Sequence, residues 1–584
     1  MGFGRYEWSF TQETHVLIRT REQQLPVPCC ALASYPSTFY SSHDKASMSS
    51  KPKSAAHYGL AWLALVLATL AGLAWWWQIG RPVDLPDAPS ARIACVSYAP
   101  FRKPGETPFN RDFVITPERI DEDLRALSQR FDCVRTYSQS NGLAAVPAIA
   151  ARYHMQVLMG IWLGSVPKTN DKEIAQGIAT AKANPKVIRG IVVGNEVLLR
   201  GDLSPKRLAE YIQRVRAAAP AAIPVTYADV WQYWLRYPQM ASAVDFVTIH
   251  ILPYWENDPV AAIDAVQHVK DVYARMEKEF PGKQVMIGET GWPSEGRLRR
   301  SAEPSLVDEA LYLRSFLRYA AQVHMPYNVI ETFDQPWKRE LEGTVGGYWG
   351  IFDSNAKPKF PMLGPVTEDP QWWLGWLAGV AGAAVFAFVG GRRRSWHGIR
   401  GWVALLLAGF AAGCSAAWQL RQMLFACQWW WEWLISAVCL VGALAIAAAL
   451  ARRIAAHLAD HHDHTEPSQW WRFCTLFALV LYDLLLAFNG RYMDFPMGLF
   501  CLPCVAYGVF GLLTREFAMP SAEQRFMACV GPLLALAPVV QEVGMNKVTW
   551  LWLGLNLAIA VPVWVAWRCH RAIGLQAYQA QAAD

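Results

Sequence analysis

Two glutamates end short apolar runs, which is where a folded chain can do acid–base chemistry. Glu196 closes a run at 188–193, and Glu289 closes another at 284–287. Two carboxyl groups facing each other across a cleft can cleave a glycosidic bond, because one protonates the leaving oxygen while the other attacks the anomeric carbon. A single glutamate at a strand end is more often a solvated loop residue. The hypothesis therefore depends on a fold that brings the pair together.

Eight apolar or β-branched runs between residues 91 and 365 predict that fold. Helical stretches such as 205–218 and 261–278 separate the runs, as parallel βα units require. Eight such strands close into an α/β (TIM) barrel of about 250 residues, whose chemistry sits at the carboxyl ends of the strands. An open doubly wound sheet is the alternative, but no Gly-rich phosphate loop follows the first run. The predicted strands are Ile93–Tyr98, Cys133–Tyr137, Gln156–Ile161, Ile188–Val193, Pro224–Tyr227, Phe246–Ile249, Gln284–Ile287 and Asn328–Phe333.

Polar and aromatic side chains gather at these strand ends. Because strands four and seven lie three apart around the ring, Glu196 and Glu289 are expected to face each other across the barrel mouth. No metal or cofactor site is expected. The candidate substrate contacts are Tyr98, Arg135, Tyr137, Trp162, Asn195, Tyr227, His250, Tyr254, Trp292, Asp334, Trp337 and Lys338. Roughly half of six tryptophans are expected to act as sugar platforms, since apolar faces can stack on aromatic rings: Trp162, Trp231, Trp234, Trp255, Trp292 and Trp337.

The motifs at the strand ends resemble one family. Val193-Gly194-Asn195-Glu196 followed by Gly288-Glu289-Thr290-Gly291-Trp292-Pro293 is similar to glycoside hydrolase family 17, the β-1,3-glucanase and glucanosyltransferase family. The segments 95–98, 134–137, 348–353 and 357–359 resemble it as well, so the likeness spans about 91–361. One departure is Gln335, which stands where related enzymes often carry an acidic residue.

The resemblance implies a retaining mechanism. Glu196 would be the general acid/base and Glu289 the nucleophile, Asn195 would hold the sugar 2-hydroxyl, and Tyr254 would contact the nucleophile. Retaining chemistry requires carboxyl groups about 5–5.5 Å apart, whereas an inverting enzyme leaves ~6.5–9.5 Å for a water. Glu196 must also carry a proton, so we expect burial and nearby negative charge to raise its pKa.

Apolar residues are concentrated outside the predicted barrel. The chain has 584 residues, of which 53% are hydrophobic and only 17% are charged. Because about 20 apolar residues cross a bilayer, we predict an anchor at 58–79 and a seven-helix membrane domain at 372–567. Its spans are expected near 372–390, 402–418, 430–451, 470–488, 497–513, 526–541 and 547–567.

Lysines and arginines in short loops predict the orientation of these eight spans. Arg392-Arg393-Arg394 marks a cytoplasmic loop, whereas the outer connections carry only Arg421, Arg491 and Lys547. Segments 1–57 and 568–584 are then cytoplasmic, and the linker 80–90 leads to an outer catalytic domain at 91–365. Segment 1–57 is either a tail or an over-extended reading frame whose true start lies near Met48.

The predicted function is β-glucan remodelling at the outer face of a bacterial inner membrane. By its resemblance, the protein would be a periplasmic-facing transglycosylase that forms β-1,6 branches through a covalent intermediate. A hydrolytic endo-β-1,3-glucanase is the alternative, and a non-catalytic glucan-binding or export scaffold is the second. The partners expected are β-1,3-glucan, the lipid bilayer and a glucan synthase. A net charge of +6 gives no case for nucleic acid.

Two further features bear on the fold. Cys95 and Cys133 fall on neighbouring predicted strands and are expected to be buried free thiols, although they would pair in an oxidising compartment if their side chains faced each other. Asp483 lies near the outer end of a predicted span. It is read either as a contact with a neighbouring helix or as a glucan contact, because intramembrane acids are costly and often functional.

Overall fold

The computed structural model describes residues 55–110, 112–391, 398–459, 466, 469–515 and 517–581. The chain up to residue 54, including Met48, lies outside these ranges. The marker Arg392-Arg393-Arg394 lies outside them as well.

Seven parallel strands form one curled sheet in which each strand pairs with the next along the chain. Most of their residues are buried, because the strands of a parallel sheet are covered on both faces. Each overlaps one of the first seven predicted strands. The strands are β1 Val96–Ser97, β2 Cys133–Arg135, β3 Gln156–Ile161, β4 Ile188–Asn195, β5 Val225–Val230, β6 Val247–His250 and β7 Val285–Glu289.

The eighth predicted strand, Asn328–Phe333, is not a regular strand, yet it joins the two edges of the sheet. Val329 forms a parallel bridge with Val96, and the Asn328 N–H donates to the Ile287 carbonyl over 2.8 Å. Backbone groups of Glu331 and Thr332 also form hydrogen bonds with residues 349–352. The segment therefore forms no continuous hydrogen-bond ladder with either neighbouring strand. The domain is therefore TIM-like, and the prediction of a regular strand here was wrong.

Helices follow the strands and begin where their sequences dictate. The hydroxyls of Thr116, Ser204 and Ser305 each accept a hydrogen bond from the backbone N–H three residues later, which satisfies an otherwise unpaired donor. Proline occupies the first turn of three of these helices, where its missing N–H costs nothing. The helices are Pro117–Leu127, Pro167–Ala183, Pro205–Ala218, Ala262–Glu279 and Leu306–Gln322.

Cys95 and Cys133 form a disulfide, so the expectation of free thiols was wrong. The register pairs Val96 with Val134 across β1 and β2. The preceding residues are therefore directly opposite each other, with their Cα atoms 4.4 Å apart. Both side chains point into the same cluster inside the ring, which also contains Leu158, Val192, Ala228 and Met286.

Long apolar helices precede and follow the barrel along the chain. Within the part of the chain that the structure describes, seven helices are long and apolar enough to cross a membrane: Trp62–Gly80, Trp373–Gly390, Ile399–Ala426, Trp430–Leu458, Gln469–Asn489, Met497–Thr514 and Lys547–Gln576. The remaining predicted span is a helix of 20 residues, Ala522–Gln541. It falls outside this set because Gln524, Arg525 and Gln541 lower its hydropathy.

Asp483 packs between helices. It is fully buried, and its Oδ1 accepts hydrogen bonds from Trp552 Nε1 (2.6 Å) and Asn556 Nδ2 (3.3 Å). Both donors lie on the helix Lys547–Gln581. Of the two interpretations of Asp483, the structure shows the contact with a neighbouring helix.

The ends of two apolar helices and one connection between helices contact the strand-end loops of the barrel. All three basic residues predicted on outer connections take part: Arg421 pairs with Glu295 (3.4 Å), Arg491 donates to the Trp255 carbonyl (2.8 Å) and Lys547 pairs with Glu303 (2.7 Å). These three residues therefore lie on the barrel side of the helices.

Candidate active site

Glu196 and Glu289 meet at the barrel mouth. Glu289 is the last residue of β7, and Glu196 directly follows β4. A carboxylate oxygen of each and a ring nitrogen of His250 all lie within 4.8 Å of one another. These two oxygens are closer than the ~6.5–9.5 Å between the carboxyl groups of an inverting enzyme, and their approach favours direct attack by one carboxylate.

The backbone turns sharply just before the Glu196 side chain. Gly194 has φ +86° and Glu196 has φ +53°. Positive φ is unusual for a residue with a side chain and is held only where the surroundings determine it. The turn ends β4 and leaves the Glu196 side chain 23% exposed, whereas the side chain of Glu289 is 5% exposed.

Two donors from the end of β2 hold Glu289 in place. Arg135 Nη1 lies 3.0 Å from Glu289 Oε1, and the Tyr137 hydroxyl donates to the same oxygen over 2.8 Å. Burial and the negative charge of Glu289 raise the pKa of Tyr137 well above its usual value, so its hydroxyl remains a donor. The second oxygen, Oε2, lies 3.7 Å from His250 Nδ1. The carboxylate thus has a fixed orientation, as an attacking group requires.

Glu196 is hydrogen-bonded to His250, with 2.9 Å between Oε1 and Nδ1. Burial raises the pKa of Glu196, but the hydrogen bond and charge of His250, together with Arg200 and Arg135, outweigh it. The net direction is below the usual glutamate value. The expectation of a raised pKa was therefore wrong for the site without substrate, because cationic neighbours surround this carboxyl group.

Arg135 also orients Asn195. Its Nη2 donates to Asn195 Oδ1 over 2.6 Å. Because a guanidinium can only donate, it engages the amide oxygen and leaves the amide NH₂ as the donor for a ligand. A sugar hydroxyl is a suitable acceptor for that group.

Glu196, His250 and Glu289 are also close enough to hold a metal ion. Arg135, however, already places a positive charge 3.0 Å from Glu289. A bound cation would face this fixed guanidinium, which Coulomb repulsion disfavours. The set is therefore better suited to proton transfer than to metal binding.

Comparison with known proteins agrees with this arrangement. A family model described as the BtgE/BtgC glycoside hydrolase domain matches residues 95–350. Residues 95–350 are therefore similar to a glycoside hydrolase domain.

This part of the chain is also similar to fungal proteins. A probable beta-glucosidase btgE of Aspergillus fumigatus is 28% identical over 264 residues, covering 44% of this chain and 45% of that protein. A glucan 1,3-beta-glucosidase of Schizosaccharomyces pombe is 27% identical over 266 residues, covering 41% of this chain and 79% of that protein. This chain therefore spans less than half the length of the Aspergillus relative.

A solved structure is also similar. The family 17 beta-1,3-glucanosyltransferase from Rhizomucor miehei is 28% identical, with a TM-score of 0.41, and the match covers 48% of this chain and 98% of that one.

The barrel brings several predicted site residues to its mouth. Arg135, Tyr137, Asn195 and His250 surround the two glutamates through the contacts described above. Lys338 lies beside them, with its Nζ 2.8 Å from Glu331 Oε1. Their roles in binding and catalysis stay predictions.

Four other predicted contacts are buried, and their assignment as substrate contacts stays a prediction. Each is at most 1% exposed, and its polar atom forms a hydrogen bond within the protein. The Tyr98 hydroxyl donates to Asp123, Tyr227 to Asp229, Tyr254 to the Arg297 carbonyl and Trp292 Nε1 to the Glu303 carbonyl. Tyr254 thus does not contact the nucleophile as expected; Tyr137 does.

Asp334 is also buried, and its role as a substrate contact stays a prediction. It is 6% exposed and lies 3.0 Å from Lys359, which pairs with Glu309 as well. Burial raises the pKa of Asp334 to about 6, despite the opposing charge of Lys359. This buried ion pair stabilises the loop after the eighth segment.

The six candidate sugar platforms divide by burial. Trp234 and Trp292 are buried at 1% exposure and serve as packing. The other four are half-buried: Trp162, Trp231, Trp255 and Trp337. Trp162 is covered on one face by the Arg200 guanidinium, 4.4 Å from the ring centroid.

Two carboxyl groups of the site were missed from the sequence. Glu331 is fully buried and pairs with Lys338, while Gln335 Nε2 donates to it. A glutamate within the apolar run 328–333 was the signal for it. Glu342 is the last residue of the short helix Arg339–Glu342. No sequence pattern indicated that this residue would lie at the site. Burial, opposed by Lys338 and reinforced by Glu331 and both catalytic candidates, raises its pKa to about 7.

Proposed function

We propose that this protein is a retaining enzyme that acts on β-1,3-glucan and transfers the cleaved glycosyl unit to a second sugar. The observation that carries the proposal is the approach of the Glu196 and Glu289 carboxylates to within 4.8 Å. The names of the fungal relatives, which are glucosidases and include a glucan 1,3-beta-glucosidase, support the substrate class.

In the first step, Glu289 Oε attacks the anomeric carbon and forms a glycosyl–enzyme ester. The bond to the leaving sugar breaks, and Glu196 gives its proton to the leaving oxygen. In the second step, Glu196 accepts the proton of an incoming hydroxyl as that oxygen attacks the anomeric carbon and frees Glu289. A sugar hydroxyl gives transfer and water gives hydrolysis.

Glu196 Oε1 lies 2.9 Å from His250 Nδ1, so the histidine side chain is within hydrogen-bond reach of the acid. A bound glucan displaces water from Glu196, and desolvation favours the neutral form of a carboxyl group. The low pKa of Glu196 in the free site is thereby compatible with its role as an acid.

We also propose that the apolar helices cross a bacterial inner membrane, with the barrel in the periplasm and both termini in the cytoplasm. The disulfide between Cys95 and Cys133 supports this placement, because disulfides persist in oxidising compartments. A barrel anchored to the membrane suggests that its substrate is a polymer made at the same membrane. Such a substrate favours glycosyl transfer over hydrolytic degradation. A glucan synthase as partner stays a prediction.

Product analysis with a β-1,3-glucan oligosaccharide and the full-length protein tests the proposal. We expect products longer than the donor, or branched ones, alongside the shortened chain. Exclusively shorter products would identify a hydrolase, the reading that the names of the glucosidase relatives favour.

A substitution of Glu289 distinguishes a catalytic protein from a non-catalytic glucan-binding scaffold. Glu289→Gln keeps the size of the side chain but removes the nucleophile, so turnover should fall by at least a thousandfold while glucan binding remains. The measurements are the rate of oligosaccharide turnover and isothermal titration with the same oligosaccharide. Unchanged turnover in this variant would refute the catalytic role and leave only the scaffold reading.

A further inference from the structure

The loop between two apolar helices sits on the rim of the barrel. Residues 490–496 connect the helices Gln469–Asn489 and Met497–Thr514. Arg297 Nη1 donates to the Met493 carbonyl over 2.8 Å. At Gly343 a Cβ atom would lie 2.0 Å from the Tyr492 carbonyl, so only glycine permits this approach. The loop is therefore fitted to the barrel and does not merely lie near it.

Tyr492 and Arg491 of this loop extend an aromatic strip on the barrel. Trp349 and Trp255 are stacked, with ring centroids 6.3 Å apart and an interplanar angle of 21°. The Tyr492 ring follows, 6.0 Å from that of Trp255. Arg491 donates to the Trp255 carbonyl and holds its guanidinium 5.2 Å from the Trp255 ring.

The inner end of the strip is bonded to the segment that carries Glu331, one of the carboxyl groups of the site. The Glu331 N–H donates to the Trp349 carbonyl over 3.0 Å, and Glu331 pairs with Lys338. The charge of Glu289 acts on both Glu331 and Lys338. A polymer that leaves the mouth along the strand-six side therefore meets Trp255 and then Tyr492.

The exposure of the strip increases outward. Trp349 is 2% exposed and Tyr492 is 41% exposed, with Trp255 between them half-buried. An exposed aromatic ring beside an arginine offers a stacking face and several hydrogen-bond donors. That combination matches one sugar ring with its apolar face and its hydroxyl rim.

We propose that Tyr492 and Arg491, together with Trp255, form an outer subsite for the β-glucan chain, supplied by the helical part of the protein. This inference rests on the proposed function and adds to it a role for the helices in substrate selection. Chains long enough to reach from the mouth to Tyr492 gain a contact that short chains lack.

The experiment compares kcat/KM for a long and a short β-1,3-glucan oligosaccharide, of about ten and three units, using full-length protein. For Tyr492→Ala we expect the ratio of long to short to fall about five- to tenfold, the size of one lost aromatic contact. Tyr492→Phe retains the ring and should keep the ratio within about twofold of wild type. Lys547→Ala, which removes a solvent-exposed barrel–helix pair elsewhere, is the matched control and should keep it too.

A ratio does not depend on the fraction of folded protein, so partial misfolding does not imitate the effect. If wild type discriminates by length and Tyr492→Ala discriminates equally, the subsite is refuted while the proposed function stands. If Lys547→Ala lowers the ratio as much as Tyr492→Ala, the effect belongs to barrel–helix docking, and the subsite is again refuted. If wild type turns over neither oligosaccharide, the proposed function fails and the subsite with it.

Discussion

At the scale of single residues, charge balance at the mouth decides what each carboxyl group can do. Glu289 is oriented by Arg135 and Tyr137, and Glu196 is hydrogen-bonded to His250. At Glu342 the positive charge of Lys338 does not outweigh burial and the neighbouring negative charges, so the pKa of this carboxyl group rises to about 7. Three glutamates at one mouth thus meet three different electrostatic environments.

Glu342 gives a pH-dependent prediction for stability. Its pKa is about 7 in the folded protein and 4.5 as the ordinary value, so between these limits the folded state binds a proton that the unfolded chain has lost. The free energy of unfolding therefore decreases with rising pH through this window and levels off above it. Glu342→Gln removes that decrease.

We expect the Tm of Glu342→Gln, relative to wild type, to rise as the pH increases from about 5 to about 7 and then to stay constant. Thermal unfolding across this pH range measures it. A Tm difference that does not depend on pH would contradict the raised pKa.

The sequence predicts which residues lie at the strand ends better than it predicts where their side chains point. The proximity of Glu196, Glu289, Arg135 and His250 could be predicted because polar groups that end apolar strands meet at one rim. Tyr98, Tyr227 and Tyr254 stand in comparable positions but point into the core. The sequence pattern marks where a strand ends and does not say whether the last side chain faces the mouth or the packing beneath it.

At the scale of elements, seven strands could be predicted because apolar runs bounded by turns and helices mark buried parallel strands. The segment 328–333 has the same composition, but its hydrogen bonds go to three different neighbours. Hydrogen bonds divided among several neighbours depend on tertiary contacts, and they leave no periodic signal in the sequence. The disulfide was missed for a similar reason, since only the register of β1 and β2 aligns its cysteines.

The disulfide carries a prediction for the barrel. It closes a sequence separation of 38 residues, and restricting the unfolded chain in this way contributes about 2–4 kcal/mol. We expect Cys133→Ala to lower the Tm of the barrel by several degrees, measured by thermal unfolding of the full-length protein. Cys439→Ala, at an exposed free cysteine, is the control. Equal Tm values for the two variants would show that the disulfide contributes nothing.

At the scale of the whole molecule, the barrel and the helical part are joined by a buried ion pair. Arg297 Nη2 lies 3.0 Å from Glu542 Oε1, and the two side chains are 3% and 11% exposed. The Arg300 N–H also donates to Glu542, over 2.6 Å. No local pattern could predict a contact between residues 245 apart in sequence.

Breaking this pair should loosen the junction. Removing one partner of a buried ion pair typically costs about 3–5 kcal/mol, whereas an exposed pair such as that of Lys547 with Glu303 contributes at most about 1 kcal/mol. We expect Glu542→Gln to increase hydrogen exchange in residues 295–303 and 490–496, and Lys547→Ala to leave it unchanged. Equal protection in both variants would indicate that the pair does not hold the junction.

The central claim is a covalent glycosyl ester on Glu289, and trapping that ester tests it most directly. A 2-deoxy-2-fluoro β-glucan oligosaccharide with a good leaving group slows the second step more than the first, so the intermediate should accumulate. Mass spectrometry of the digested protein should then find one glycosyl unit on the peptide that contains Glu289, and none in Glu289→Gln. Label on Glu196 instead, or an active enzyme that never acquires label, would contradict the account.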